Sequence, residues 1–188
     1  IVPIYRNDEE MQKVMPVVEN MRQALAEKIR VQVDLRDGLT PGYKFNDWEM
    51  RGVPLRMEVG PKDVEKQSVA LARRDLPGKA GKVFVPQENI LATVSGLLDE
   101  IHDSMLARAT AFRDEHIFDV SDYQELTEAV QKGWAYAWWC GDAACEAKVK
   151  EDTKATARCI PLDQPAGGGK CAVCGQPAQE KIYFARAY

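Results

Sequence analysis

Four cysteines near the end of the chain constrain its fold more than any other feature. Cys140-(x4)-Cys145 and Cys171-(x2)-Cys174 stand either side of a 25-residue insert. Two close pairs of thiols separated by a loop of helix and strand are the ligand set of a closed, tetrahedral zinc site. In the second pair, Cys171-Ala172-Val173-Cys174-Gly175, the glycine frees the backbone to turn its amides toward sulfur. With protein at all four positions no room is left for water, so the zinc expected here is structural. In so short a unit its binding energy becomes folding energy. Four free, buried cysteines are the alternative. The fifth, Cys159, has no spaced partner and reads as a small buried apolar residue. An odd number of cysteines, all in the last quarter, argues against a disulfide framework and for a reducing compartment.

A second stretch, Lys44 to Asp63 (KFNDWEMRGVPLRMEVGPKD), concentrates aromatic, acidic and basic side chains. It reads as a helix, a stop at Gly52, an alternating strand and a Gly-Pro stop. On that strand Leu55, Met57 and Val59 share one face, and Arg56 and Glu58 the other. Beside a helix carrying Phe45, Trp48 and Glu49, a polar strand face offers stacking planes and hydrogen-bonding edges together. That suits the reading of splayed RNA bases. An amphipathic helix and strand with solvated charges is the plainer alternative. The charge is unevenly spread. The net is -4 overall, yet residues 44–82 hold nine Lys/Arg against six Asp/Glu, and residues 83–118 hold two against six. The local patch of +3 permits an RNA partner without requiring one.

Around these stretches the pattern is α/β. Ile1 to Tyr5 reads as a short strand, and Asn7 or Asp8 caps a helix whose core face is Met11, Val14, Met15, Val18, Met21, Leu25 and Ile29. Pro16 predicts a kink or break in it. Val31 to Leu35 is the next strand, which implies a parallel pair joined by a right-handed crossover. Strands follow at Ser68 to Asp75 and Lys82 to Pro86, then a long helix from near Glu88. Its buried face is Ile90, Leu91, Val94, Leu97, Leu98, Ile101, Met105, Leu106 and Phe112. His102 and His116 lack a nucleophile nearby in sequence and read as helix-surface or packed residues. Composition changes near Phe118, which predicts domains at 1–118 and 119–188. In the second, Ser121 or Asp122 caps a helix through Lys132. Strands are expected at Trp134 to Trp139, Thr156 to Ile160 and Lys181 to Tyr188, with a helix over Ala143 to Lys150. Gly167 to Gly169 lack a phosphate-loop frame and read as linker.

No apolar run approaches the roughly 20 residues of a membrane helix. The chain opens on IVPIY without an initiator Met, so an upstream part is expected. There is no Ser-His-Asp pattern, phosphate loop, His-Glu zinc motif or carboxylate pair, which points to a binding module.

Longer motifs carry a more specific resemblance. Lys44-Phe45-Asn46-Asp47-Trp48-Glu49, Gly52-Val53-Pro54-Leu55-Arg56, Glu58-Val59-Gly60-Pro61-Lys62-Asp63 and Arg73-Arg74 occur in order. Trp138-Trp139-Cys140-Gly141, Arg158-Cys159-Ile160-Pro161, Cys171-Ala172-Val173-Cys174-Gly175 and Ala187-Tyr188 follow. Together they resemble the C-terminal half of prolyl-tRNA synthetase, of the type shared by archaea, eukaryotes and some bacteria. The resemblance implies a mixed-sheet class II synthetase anticodon-binding domain followed by a small zinc-binding α/β domain. That family attaches proline to its tRNA with ATP and magnesium, works as a homodimer in the cytoplasm, and carries its chemistry in an upstream catalytic domain. This segment alone is not expected to be catalytic. The resemblance further implies that Phe45 stacks on an anticodon base, that Glu49 and Asp63 accept hydrogen bonds from guanine, and that Arg56 donates to one. Lys62, Arg73, Arg74 and Lys79 are implied phosphate contacts, and the carboxylate of Tyr188 turns toward the active site. A stand-alone zinc-stabilised RNA-binding protein, or a scaffold module without RNA, are the rival readings.

Overall fold

The computed structural model describes residues 1–187, in two compact units divided between Ala107 and Arg108. The chain of the first unit runs β1 (Val2–Pro3), α1 (Asp8–Ala26), α2 (Pro41–Met50), β2 (Leu55–Val59), α3 (Pro61–Glu65), β3 (Ser68–Arg73), β4 (Lys82–Pro86) and most of α4 (Ile90–Glu115). A single 3-10 turn, Gly78–Gly81, leads into β4. The sheet order is β1-β2-β3-β4, the first pair parallel and the other two antiparallel. Helix α1 starts where the Asn7 side chain accepts from Glu10 N–H at 2.9 Å, with Asp8, Glu9 and Glu10 at its positive end. Its buried face, Val14, Val18, Met21 and Leu25, packs on Met57, Val59, Val69 and Leu71 of the sheet and on Ile90 and Val94 of α4. Each such side chain taken out of water stabilises by about 1.5–3 kcal/mol.

Three expectations for this unit are corrected. Residues 31–35 form no strand; β1 pairs instead with β2, Val2 opposite Glu58 and Pro3 opposite Val59. The segment meets the residue before β1 through two bonds, Asp34 N–H to Ile1 O at 2.9 Å and the Ile1 amino group to Gln32 O at 2.6 Å. Helix α1 does not break at Pro16, whose ring lies on the exposed side, where water can satisfy the carbonyl left unpaired. The far end of α4 is not core: Met105, Leu106 and Phe112 are exposed. A helix of 26 residues is about 39 Å long, whereas strands of five or six residues reach about 20 Å, so the sheet covers α4 only as far as Ile101.

The second unit contains β5 (Ile117–Val120), α5 (Tyr123–Ala129), β6 (Trp134–Trp139), α6 (Ala143–Thr153), β7 (Ala155–Cys159), a hairpin of β8 (Gly169–Lys170) and β9 (Pro177–Ala178), and β10 (Glu180–Arg186). Its main sheet has the order β5-β6-β10-β7, with β5 and β6 parallel across the α5 crossover. Val120, Leu126, Ala135, Ala137, Val149, Ile182 and Phe184 fill the core between sheet and helices. The division between units falls inside α4, ahead of the compositional change near Phe118. Trp134 N–H bonds to His116 O at 2.8 Å, and β5 pairs with β6, so the end of α4 is tied to the second sheet. Cys159 is exposed, not buried, because it ends β7 beyond the core.

Candidate nucleic-acid interface and metal centre

Helix α2 and strand β2 bring three of the expected base-reading residues together. Gly52, at φ +83°, lets the helix stop and the chain reverse; its N–H bonds to Glu49 O at 3.0 Å. Glu49 and Arg56, seven residues apart, then meet. Arg56 Nη1 donates to Glu49 Oε1 at 2.6 Å, and its guanidinium carbon lies 4.0 Å from the Phe45 ring centroid. Arg56 Nε and Nη2 donate to Glu58 Oε1 at 3.2 and 3.1 Å, and Lys82 Nζ donates to Glu58 Oε2 at 2.6 Å. Glu58 is therefore a buried acid, 4% exposed, clamped by two cations. It was absent from the expected site set, although its place two residues after Arg56 on one strand face was the available signal. Lys82 had none, since it arrives across β3. The Arg56 side chain is 14% exposed and that of Glu49 46%, so Arg56 orients a carboxylate that still faces water.

Asp63 is engaged elsewhere. It is the third residue of α3, and its Oδ2 accepts from Gly60 N–H at 2.9 Å, closing the first turn of that short helix. Arg73 is also committed: Nε and Nη2 donate to Asp75 at 3.0 and 2.9 Å, and Nη1 to Glu100 at 2.9 Å. Lys62, Arg74 and Lys79 are exposed and form no ion pair among the described residues. Tyr188 lies outside the described residues.

A cluster that sequence reasoning missed pins α2 in position. Asp34, 2% exposed, accepts from Arg36 Nε at 3.0 Å, Arg36 Nη2 at 2.7 Å and Trp48 Nε1 at 2.8 Å. These donors, Arg36 foremost, hold its carboxyl well below the usual carboxylate range against the opposing effect of burial. Arg36 Nη1 also lies 2.8 Å from Asp47 Oδ2 on α2. Because the network spans residues 34–48, it sets where Phe45 and Glu49 stand.

In the second unit all four expected metal ligands converge. Cys140 follows β6, Cys145 lies in the first turn of α6, and Cys171 and Cys174 sit in the turn between β8 and β9. Asp142 caps α6 by accepting from Ala144 N–H at 2.8 Å. The four sulfurs lie within 4.8 Å of one another, and Cys140 Sγ is 3.7 Å from both Cys145 Sγ and Cys174 Sγ. Sulfurs about 2.3 Å from a tetrahedral zinc stand about 3.8 Å apart, so this donor set fits the ion. Gly175, at φ +73°, turns the chain so that its N–H bonds to Cys171 O at 2.8 Å. Burial works against ionising Cys171, but backbone N–H groups of Cys174, Val173 and Cys140 outweigh it and bring the thiol down to about 7. Burial pushes the Cys145 thiol up. Trp138, Trp139, Val173 and Ala178 close around the cluster. No helix among the described residues is long and apolar enough to cross a membrane.

Comparison with known proteins agrees with both halves. Residues 1–96 match the anticodon binding domain family, and residues 123–188 match the family of prolyl-tRNA synthetase C-terminal domains. The first match takes in more than half of the chain, which belongs to the anticodon-binding domain family. Within it, the chain is similar throughout to proline–tRNA ligases and corresponds to their C-terminal part. It is 52% identical over 188 residues to the ligase of Chloroflexus aurantiacus, covering the whole chain and 39% of that protein. It is 46% identical over 193 residues to the chloroplastic/mitochondrial ligase of Arabidopsis thaliana, covering 36% of it. It is 43% identical over 190 residues to the ligase of Clostridium novyi, covering 38%. The chain spans less than two fifths of the length of these relatives, and all of it is matched in each.

Proposed function

We propose that the chain is the tRNA-recognition part of a proline–tRNA ligase, with residues 1–118 reading the two guanines of the proline anticodon and residues 119–188 forming a zinc-stabilised domain. The meeting of Phe45, Glu49 and Arg56 carries this reading. Guanine offers an N2 amino donor and O6 and N7 acceptors. Glu49 takes the N1 and N2 protons, Arg56 donates to the O6/N7 side, and Phe45 stacks on the base. The bond from Arg56 to Glu49 holds the carboxylate in place for that task. Asp63 reads a base with the oxygen not bonded to Gly60. Lys62, Arg74 and Lys79 serve the phosphates, and Arg73 does so only by loosening its hold on Asp75 and Glu100.

Cys140, Cys145, Cys171 and Cys174 would hold the zinc, which supplies a structural cross-link when bound. The names of the relatives support the wider activity, ATP-dependent attachment of proline to its tRNA. ATP and magnesium then belong to the catalytic part of the ligase, which is the partner of this segment and the target of Tyr188. A homodimer in the cytoplasm is the assembly in which this reading sets the chain.

The test is a titration with tRNA carrying the proline anticodon, against the same tRNA with both guanines changed. The expected preference is about tenfold or more, equivalent to about 1.4 kcal/mol, and Glu49→Gln and Arg56→Ala should each abolish it. Equal binding of the two tRNAs by the unaltered chain would falsify the reading.

A further inference from the structure

Strand β4 forms the edge of the first sheet, and its Lys82 and Phe84 lie on the same sheet face as the Arg56 cluster. The register aligns Arg56, Ala72 and Lys82 in one cross-strand row, and Glu58, Ala70 and Phe84 in the next. All six residues share one face, because side chains alternate along each strand and Met57, Leu71 and Val85 turn into the core from the other. The two alanines of β3 are small, Ala72 partly exposed and Ala70 buried at 2%. Phe84 is 67% exposed, an unusual position for a large aromatic on an unpaired edge. Lys82 links it to the reading cluster: its Nζ lies 5.7 Å from the Phe84 ring centroid and bonds to Glu58, which in turn holds Arg56. Strands about 4.8 Å apart put the backbones of Glu58 and Phe84 about 10 Å from each other. The exposed Arg74 and Lys79 lie in the β3–β4 connection, at the Lys82 end of the face.

We propose that Phe84 is a second base-stacking platform, which takes an unpaired loop nucleotide next to the one held by Phe45, Glu49 and Arg56. The proposal rests on the anticodon reading above and adds to it a contact that reads no base edge. The occupant is single-stranded RNA because the ring stands beside cations and continues the reading face. Stacking on an open ring reads no base edge and so tolerates any base, while the flanking cations attract the backbone phosphates.

Two anticodon stem-loop RNAs separate this proposal from the reading beneath it, one with the proline anticodon and one with both guanines changed. Phe84→Ala should weaken both by about tenfold, within the range measured for one stacked base, and leave their ratio unchanged. Phe84→Tyr should bind like the unaltered chain, and Phe84→Leu, which is apolar but has no π face, like Phe84→Ala. Glu49→Gln should collapse the ratio. If Phe84→Ala binds both RNAs as the unaltered chain does, the platform is wrong, whatever Glu49→Gln shows. If Phe84→Leu binds as well as Phe84→Tyr, the ring is not stacking and the proposal again fails. Absence of binding by the unaltered chain removes both the platform and the reading.

Discussion

Asp34 shows how much one residue can fix. Its carboxylate is buried, accepts from Arg36 and Trp48, and lies 3.9 Å from Lys44 Nζ. Because its folded pKa is depressed, its contribution to stability is fully present above the unfolded value of about 3.9 and is lost as pH falls toward the folded value. Asp34→Asn keeps the shape and removes the charge. At pH 7 the variant should show a lower urea midpoint than the unaltered chain, and the gap should narrow steadily below about pH 4. A gap of constant size down to pH 2.5 would mean that shape, and not charge, is what Asp34 provides. Glu58 is likewise a buried acid between two cations, and removing it would leave Lys82 without this partner and Arg56 with Glu49 alone.

Among the elements, α3 relies for its first turn on a side chain that the proposed base reading also needs. Asp63→Ala removes the bond to Gly60 N–H and should cost about 0.5–2 kcal/mol by urea unfolding, the usual effect of losing a helix cap. If Asp63 also reads a base, Asp63→Ala should lose guanine preference, and Asp63→Asn, whose amide oxygen still accepts from Gly60, should lose preference while keeping most of the stability. The elements also show what the sequence could reveal. Helix α1, β2 with its Gly52 and Gly60-Pro61 stops, and the convergence of the four cysteines were legible because caps, alternation and ligand spacing are local signals. Residues 31–35 misled because an apolar alternating run looks like a strand wherever it lies, and only tertiary pairing decides. Pro16 did not break the helix because exposure on the helix surface made an unpaired carbonyl tolerable. The charge network of Glu58 with Lys82 was hidden for a related reason. Its members are 24 residues apart and meet only through the register of β3.

For the molecule as a whole, the two units should respond differently to one reagent. The first has a core of aliphatic side chains from two helices and a sheet. In the second, the β8–β9 hairpin carries Cys171 and Cys174 and joins the main sheet through few backbone bonds, such as Ala172 N–H to Trp138 O at 3.0 Å. Adding a strong chelator should lower the melting temperature of the second unit and expose residues 160–180 to limited proteolysis, while the first unit melts as before. Unchanged melting of both units would show that the cysteines need no metal.

The closeness of those four sulfurs has a thermodynamic corollary. A ligand that binds only the folded chain adds RT ln(1 + [L]/Kd) to its stability, so above the dissociation constant each tenfold rise in free metal adds about 1.4 kcal/mol. With zinc on the four cysteines, the C-terminal unit would act as a gauge. The fraction of it that is folded at a given temperature would report the supply of free zinc around it, so that a shortage of the ion would register here while the first unit is still folded.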